Sequence, residues 1–247
     1  MNASDPFKKA FDGKTVLVSG GTSGIGLAIA IGFADCGATV VATGSTVRRL
    51  SDAAPHGGPG LTFAQLDVRD LDAVEGRLGQ FEKLDVLVNC HGVARPEAEW
   101  TEEEFLTVMD INLNSVMRLS RAAYPLLKQS KGCIVNFASM LSYLADPSVP
   151  AYTASKTGIV GLTRALAHQW GRYGIRVNAI APGYHKTDMT QALWADPVAE
   201  ARIAERAAAK RWGTTEDLVG PVLFLCSSAA AFVTGATLPV DGGYHSG

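Results

Sequence analysis

Seven short runs rich in β-branched residues alternate with helix-patterned segments along this chain, at residues 15–18, 39–41, 61–63, 86–88, 134–137, 175–177 and 237–240. Parallel strands cannot be joined by a tight turn; they need a crossover of a dozen or more residues, usually a helix. The alternation therefore predicts an α/β fold: a seven-stranded, mostly parallel, doubly wound sheet with helices on both faces. Several of the runs are continuously apolar, as strands covered on both sides require. The helix over 25–36 closes at Gly37, a residue suited to the left-handed position after a helix end. Thr101 and Glu104 read as a capping box that opens a long helix reaching about residue 129. A further helix spans about 150–173 and stops at Gly174. On it Ala151, Ser155, Gly158, Leu162 and Ala165 recur at helical spacing, a narrow face that lets another backbone come close. Residues 184–212 are helical in composition but break the alternation, which makes them an insertion over the end of the sheet, placed to cover a substrate.

No segment of residues 1–247 marks a linker, so the chain reads as one domain. With 47% hydrophobic and 19% charged residues it can bury a sizeable core. Its longer apolar stretches, such as 132–144 and 175–183, are interrupted by Gly, Pro or Asn before they reach bilayer length. Residues 1–11 carry charge and no apolar stretch of the signal-peptide kind. Cys36, Cys90, Cys133 and Cys226 have neither paired nor metal-ligand spacing, and the histidines have no ligand spacing between them. The expectation is a cytoplasmic protein with reduced thiols, no metal and no membrane span. A net charge of −2 offers no electrostatic footprint for nucleic acid or anionic lipid.

The first apolar run leads straight into Ser19-Gly20-Gly21-Thr22-Ser23-Gly24-Ile25-Gly26, with a helix beginning inside the loop. Glycines let the backbone turn sharply and let a pyrophosphate approach, and a helix N-terminus turns unpaired N–H groups toward negative charge. Gly20, Thr22, Ser23, Gly24, Ile25 and Gly26 are thus candidate contacts for a dinucleotide in a Rossmann-type site. The Gly-x-x-x-Gly-x-Gly spacing differs from Gly-x-Gly-x-x-Gly, and ordinary tight turns use the same residues. A sheet of this type binds its ligand beyond the carboxyl ends of its strands. There the chain carries Asp67-Val68, Asn89-Cys90-His91-Gly92, Ser139 and Pro182-Gly183.

Tyr152 and Lys156 stand four apart at the start of a helix, on one face. A free phenol titrates near ~10, so acting as a base near neutrality requires a cation to lower that value, and Lys156 is placed to supply it. Ser139, at a strand end, can hold a substrate oxygen beside the phenol. Asn112, inside the capped helix, reads either as a core amide bonded to backbone or as a member of a proton relay through water.

These motifs, in this order and at these intervals, resemble the short-chain dehydrogenase/reductases over about residues 14–243. The resemblance implies an NAD(P)-dependent oxidoreductase interconverting a secondary alcohol and a ketone by hydride transfer, with Asn112, Ser139, Tyr152 and Lys156 as the catalytic tetrad. It implies that Gly20, Gly24 and Gly26 form the cofactor loop and that Asp67 and Val68 meet the adenine. Asn89 and Gly92 would line the cofactor's path, and Pro182, Gly183 and Thr187 would grip the nicotinamide carboxamide. Tyr152 would exchange the proton, Lys156 would lower its pKa and bond the nicotinamide ribose, Ser139 would orient the oxygen and Asn112 would hold a water. Homotetramers or homodimers built through two long central helices are also implied. Two departures from the pattern stand out: Ser19 stands where the family usually has threonine, and Asn89-Cys90-His91-Gly92 where it usually has Asn-Asn-Ala-Gly. His91 reads as a strand-end histidine bonded to backbone, or as a titratable group near the cofactor.

Cofactor choice turns on the end of the second strand, where an acid favours the free ribose hydroxyl and a basic residue the extra phosphate. The turn over 42–49 holds no carboxylate; Ser45, Thr46 and Arg48 could bind that phosphate, so the chain leans to NADP, although no arginine directly follows the strand. Arg48 and Arg49 also read as a solvated helix face. The stretches 137–142, 182–184 and 211–213 resemble the branch acting on sugar acids (gluconate and deoxy-ketogluconate dehydrogenases), and 194–197 resembles the xylulose reductases. A small sugar, polyol or sugar-acid substrate is expected, held by Ser139, Leu141, Tyr152, Tyr184, His185 and Trp194. The apolar side chains of Leu141, Tyr143, Leu144, Met189, Leu193 and Trp194 keep a 3-oxoacyl thioester reductase open. A dinucleotide-binding protein without turnover is the reading from a different class.

Overall fold

The computed structural model describes residues 5–247; residues 1–4, part of the stretch read above against a signal peptide, lie outside the described residues. Strands β1 (Thr15–Ser19), β2 (Thr39–Gly44), β3 (Leu61–Gln65), β4 (Val86–Asn89), β5 (Cys133–Phe137), β6 (Arg176–Pro182) and β7 (Thr237–Val240) form one sheet in the order β3-β2-β1-β4-β5-β6-β7. Every pairing in it is parallel, so the sheet has no antiparallel edge strand. The strand order reverses between β1 and β4, and a crevice opens at the carboxyl ends of strands on either side of such a reversal.

Successive residues of a strand face opposite sides of the sheet, and here both sides are apolar. On one side Val16, Val18, Val86, Val88 and Val135 pack against Ile29 and Phe33 of α1 (Gly24–Asp35) and Val222 and Leu223 of α9 (Val219–Cys226). On the other, Leu17, Leu87 and Ile134 meet Val74 of α3 (Leu71–Leu78), Leu119 and Leu127 of α5 (Ser115–Ser130) and Leu166 of α6 (Pro150–Trp170). Truncating one such leucine to alanine costs about 2–5 kcal/mol. Both layers hold the strand ends, and hence the crevice, in fixed register. The remaining helices are α2 (Val47–Ala53), α4 (Glu102–Met109), α7 (Gln191–Trp194) and α8 (Pro197–Arg206).

Helix α1 gives way to Gly37 in the left-handed region at φ +94°, as expected. The long helix expected from Thr101 differs in two ways. Thr101 caps α4 by accepting from the Glu104 amide at 3.3 Å, but the Glu104 carboxylate pairs with Arg95 instead of closing a reciprocal box. The helix is also not continuous: a π turn over Asp110–Asn114 separates α4 from α5. Wide turns of this kind insert an extra residue and are common at functional sites. Helix α6 ends at Trp170, followed by a 3-10 turn (Gly171–Tyr173) and by Gly174 at φ +79°. Its small-residue face turns inward: Ala151 and Ser155 are buried, and a Cβ at Gly158 would stand 2.8 Å from Leu113 of the π turn. Ala165 lies off that contact and is exposed. Residues after β6 form a 3-10 turn (Asp188–Thr190), α7 and α8 before the chain returns to α9. Among the described residues no helix is long and apolar enough to cross a membrane.

Candidate active site

Pro150, with its φ set for a first helical turn, starts α6, so Tyr152 and Lys156 rise one above the other from its first turns. The Lys156 ammonium lies 5.6 Å from the centre of the Tyr152 ring and donates to the Phe137 carbonyl at 2.7 Å. Ser139, two residues beyond the end of β5, stands beside the Tyr152 phenol and favours its ionised form, and its Oγ accepts from the Leu141 amide at 3.1 Å. Ser142 ties this loop to α6 by donating to the Lys156 carbonyl at 2.7 Å. From the β4 side, a Cβ on Gly92 would stand 3.3 Å from both the Lys156 ammonium and Asn112 Oδ1. The structure therefore brings Ser139, Tyr152, Lys156, Asn112 and Gly92 together.

Electrostatics in this group departs from expectation. Burial raises the Tyr152 phenol above its ordinary value, with Ser139 opposing and Cys90 and Glu99 adding to the rise. Lys156, whose ammonium faces the ring and is directed at Phe137, does not offset that rise; burial pushes Lys156 itself down to about 8. A low-dielectric site disfavours both charged forms, and here desolvation outweighs the attraction between them. The neighbouring Cys90 thiol is pushed up to about 12 by burial and stays neutral.

Asn112, at 0% exposure, donates from Nδ2 to the Val93 carbonyl at 2.8 Å and to Ser155 Oγ at 3.2 Å, and its Oδ1 accepts from the Val93 amide at 2.8 Å. Its side chain is thus a core amide bonded to backbone, which pins residues 92–93 beside Lys156. Sequence reasoning passed over Glu99. At 0% exposure this carboxylate accepts from the Arg95 amide and from the Tyr152 amide, both at 2.8 Å. It sits at the positive end of α6, where a negative charge is stabilised, and it holds the backbone of Tyr152. No local signal announces a contact across 53 residues.

At the β1–α1 loop Gly20 adopts φ +79°, and a Cβ on Gly26 would stand 2.1 Å from the Gly20 carbonyl oxygen. No side chain larger than hydrogen fits there. Ser23 precedes α1 but makes no capping bond, so the first amides of α1 have no side-chain acceptor. Ser23 Oγ instead accepts from the Arg49 guanidinium at 2.6 Å. An open cavity of ≈ 320 Å³ adjoins the loop, lined by Thr22, Ser23, Thr46, Arg48, Arg49, Asp52 and Asp188. Two expectations change here. Arg48 lines the cavity with its side chain 91% exposed and 3.9 Å from Asp52, whereas Arg49, read above as part of a solvated face, reaches over the glycine loop to Ser23. One residue along α2 is a rotation of about 100°, which turns the two arginines apart. Nor is the region free of carboxylates, since Asp52 and Asp188 reach it from α2 and from the loop after β6. Thr46 caps α2, and Ser45 contributes its carbonyl to Gln65.

Other expected contacts are placed as follows. The Asp67 carboxylate is taken up by the Arg69 amide and guanidinium, which holds it below the usual range, and Val68 is buried in the core. Asn89 is buried, donating to Asn136 at 2.9 Å and Ser120 at 3.3 Å, and so ties β4 to β5. Gly183 follows β6 and pairs with Val240. Thr187 lies over the glycine loop, its Cγ2 3.7 Å from where a Cβ of Gly24 would stand. Trp194 braces that loop by donating to the Thr187 carbonyl at 3.0 Å. His185, expected to face the substrate, is 3% exposed, its Nδ1 is 3.1 Å from the Gly183 carbonyl, and its ring packs where Gly213 lacks a side chain. Tyr184 packs against Trp212 at 5.3 Å and Tyr244 at 5.1 Å, and burial pushes its phenol up to about 12. Leu141 is partly exposed beside Ser139. His91 is bonded to the side chains of Ser19 and Ser115 rather than to backbone.

A family profile described as enoyl-(acyl carrier protein) reductase matches residues 20–245. A 2-dehydro-3-deoxy-D-gluconate 5-dehydrogenase of Escherichia coli (strain K12) is 39% identical over 95% of this chain and 96% of its own. A 3-oxoacyl-[acyl-carrier-protein] reductase of the same organism is 35% identical over 95% of this chain and 98% of its own. Among solved structures, a gluconate 5-dehydrogenase from Burkholderia cenocepacia J2315, in complex with NADP and tartrate, superposes with TM-score 0.89 at 33% identity, covering 99% of both chains.

Proposed function

Because the chain belongs to the short-chain dehydrogenase/reductase family, we propose that it interconverts a secondary alcohol and a ketone on a sugar acid, with NADP as hydride carrier. The observation that carries this reading is the convergence of the Tyr152 phenol, the Ser139 hydroxyl and the Lys156 ammonium at the carboxyl edge of the sheet.

The residues present fit a dinucleotide: glycines at 20 and 26 let the loop pack tightly against residue 91 and against itself with no side chain intervening, and the uncapped start of α1 offers N–H donors. Ser23, Thr46 and Arg49 would hold the additional phosphate of NADP. Thr187 with Pro182 and Gly183 would hold the carboxamide. Lys156 keeps donors beyond the one given to Phe137 and would bond the ribose. A bound nicotinamide supplies the hydride acceptor or donor for the substrate carbon.

The chain's own groups supply the proton and the alignment. In reduction the Tyr152 hydroxyl, kept protonated by burial, donates its proton to the substrate oxygen that Ser139 orients. The nearby ammonium of Lys156 stabilises the phenolate as it forms. In oxidation the phenolate takes the hydroxyl proton. Asn112 and Glu99 act through others, the first fixing Gly92 and Val93 against Lys156, the second fixing the backbone of Tyr152. Residues 184–212 would cover the substrate and exclude water. Exposed Leu106 of α4, Met117 of α5 and Gly161 of α6 would seat a second copy of the chain; light scattering showing a monomer would remove that assembly.

A second reading, a 3-oxoacyl thioester reductase, is favoured by the exposed apolar residues Met189 and Leu193 in the loop after β6. Following nicotinamide absorbance with gluconate-type acids, pentuloses and 3-oxoacyl thioesters separates the two. The expected result is the highest kcat/KM on a sugar acid with NADP. A higher value on the thioester would replace this substrate assignment.

A further inference from the structure

We infer that His91 is a positioning residue: donating from Nε2, its imidazole clamps the end of β1, just before the glycine loop, to the start of α5, just after the π turn that carries Asn112. The contacts fix both ends. His91 Nδ1 lies 2.8 Å from Ser19 Oγ, and Nε2 lies 2.7 Å from Ser115 Oγ. The Ser115 hydroxyl donates its proton to the Ile111 carbonyl at 2.6 Å. A serine has one hydroxyl proton, so toward the imidazole Ser115 can only accept, and Nε2 must carry the hydrogen. Nδ1 of the neutral ring is then a lone pair, and Ser19 donates to it. One tautomer satisfies the whole chain of hydrogen bonds, Ser19 to His91 to Ser115 to Ile111.

Each end of the clamp bears on the site. Ser19 immediately precedes Gly20, whose Cβ, were there one, would stand 2.7 Å from His91 Cα, so the backbone of residue 91 is a wall of the loop. Ile111 and Ser115 bracket Asn112, which in turn holds residues 92–93 beside Lys156. Ser19 and Ser115 are both fully buried, so neither hydroxyl has water to replace a lost partner. Burial, with the charge of Lys156 adding to it, holds the imidazole near 3, which keeps Nδ1 free to accept. Ser19 and His91 are also two of the places where the chain departs from the pattern it otherwise resembles, and they touch each other. They form a matched pair.

This clamp rests on the hydride-transfer reading for its effect on turnover, and on cofactor binding alone for the other half of its test. Three variants separate its ends: His91→Ala removes both, His91→Asn keeps an acceptor near the Nδ1 position for Ser19, and His91→Gln keeps a donor near the Nε2 position for Ser115. NADPH dissociation constants come from fluorescence titration, kcat from turnover, and folding from thermal melts. His91→Ala is expected to weaken NADPH binding and to lower kcat, each about tenfold, the scale of one lost buried hydrogen bond. His91→Asn should recover most of the binding but not kcat, and His91→Gln the reverse. Equal losses in both isosteres, or wild-type values in His91→Ala, would overturn the clamp. Should His91→Ala fail to fold, nitrogen-15 NMR of the wild-type imidazole decides: the Nε2–H tautomer supports the clamp, and the Nδ1–H tautomer or a protonated ring at neutral pH overturns it. If Tyr152→Phe turns over normally the hydride-transfer reading fails, yet the binding split between the isosteres still tests the clamp.

Discussion

Around Tyr152 the polar side chains are buried and committed: Lys156 to Phe137, Asn112 to Val93 and Ser155, Glu99 to the amides of Arg95 and Tyr152. Across the segment after β6 the chain exposes Met189, Leu193 and Val198, and anchors itself by two indoles reaching carbonyls, Trp194 to Thr187 and Trp212 to Glu200. The first region can hold atoms to within tenths of an ångström because moving any one group would strand a buried donor or acceptor. The second is tied largely by partly buried or exposed groups, such as the Thr187–Thr190 capping box and the Lys186–Glu200 pair, so it can shift at less cost. A reaction needs the first kind of construction and a choice of substrate tolerates the second, so the two regions answer different questions about the enzyme.

The sharpest test of that division is Tyr152→Phe, which should lower kcat by about 10³-fold or more while leaving NADPH affinity within about twofold. Residual turnover near wild type would show that the committed region is not where the proton moves. Because burial raises the phenol, the oxidation rate should climb with pH through and beyond neutrality, while reduction stays flat until the phenol begins to ionise. A pH–rate profile in each direction reads this directly.

Lys156 gives the next largest effect and joins stability to function. Its folded-state value of about 8 lies below the ordinary 10.5, so between those values the unfolded chain binds more protons and stability rises with pH. The burial penalty, on the order of 3 kcal/mol, is fully present below pH 8. Lys156→Met should therefore lose at least about 10²-fold in kcat yet gain thermal stability, most at neutral pH and progressively less toward pH 10. The unpaired Phe137 carbonyl offsets part of the gain. A Met variant that melts lower at every pH would contradict the assignment of a strained, buried ammonium.

Cofactor discrimination is expected to be smaller. Arg49→Ala should raise KM for NADPH about 10-fold and change KM for NADH little, whereas Arg48→Ala should stay within about twofold for both. Equal effects from the two arginines would mean that α2 does not present them differently. Smallest of all is His185→Asn, which should shift the melting temperature through lost packing under Gly213 and leave KM for the sugar acid unchanged. A change in KM without a change in melting would put His185 back into the substrate pocket.

The sheet was legible in the sequence because each run of Val, Leu and Ile must bury both its faces, and little besides a central parallel strand can do that. The Tyr152 group was legible for a related reason: Tyr152 and Lys156 share one helix, and Ser139 lies just past the end of a strand. What was not legible depended on contacts between distant segments or on the phase of a helix. Glu99 is an ordinary acidic residue until α6 is placed over it. Arg48 and Arg49 exchange roles according to which way α2 faces. His185 is buried only because a glycine opposite leaves room for its ring. The pull of Lys156 on the phenol was argued from spacing, and spacing carries no information about desolvation.

The π turn at Asp110–Asn114 puts local regularity in conflict with catalysis. Deleting one residue there would let an unbroken α-helical rod form where α4 and α5 now meet at a fault, with better hydrogen bonding along its axis. The flanking helices would keep their faces, since the wide turn is what absorbs the extra residue, but the amide at position 112 would lose the bulge that carries it to Val93. Selection for heat resistance by shortening loops and tidying helices would favour that deletion, and the sturdier protein it yielded would be an inactive one.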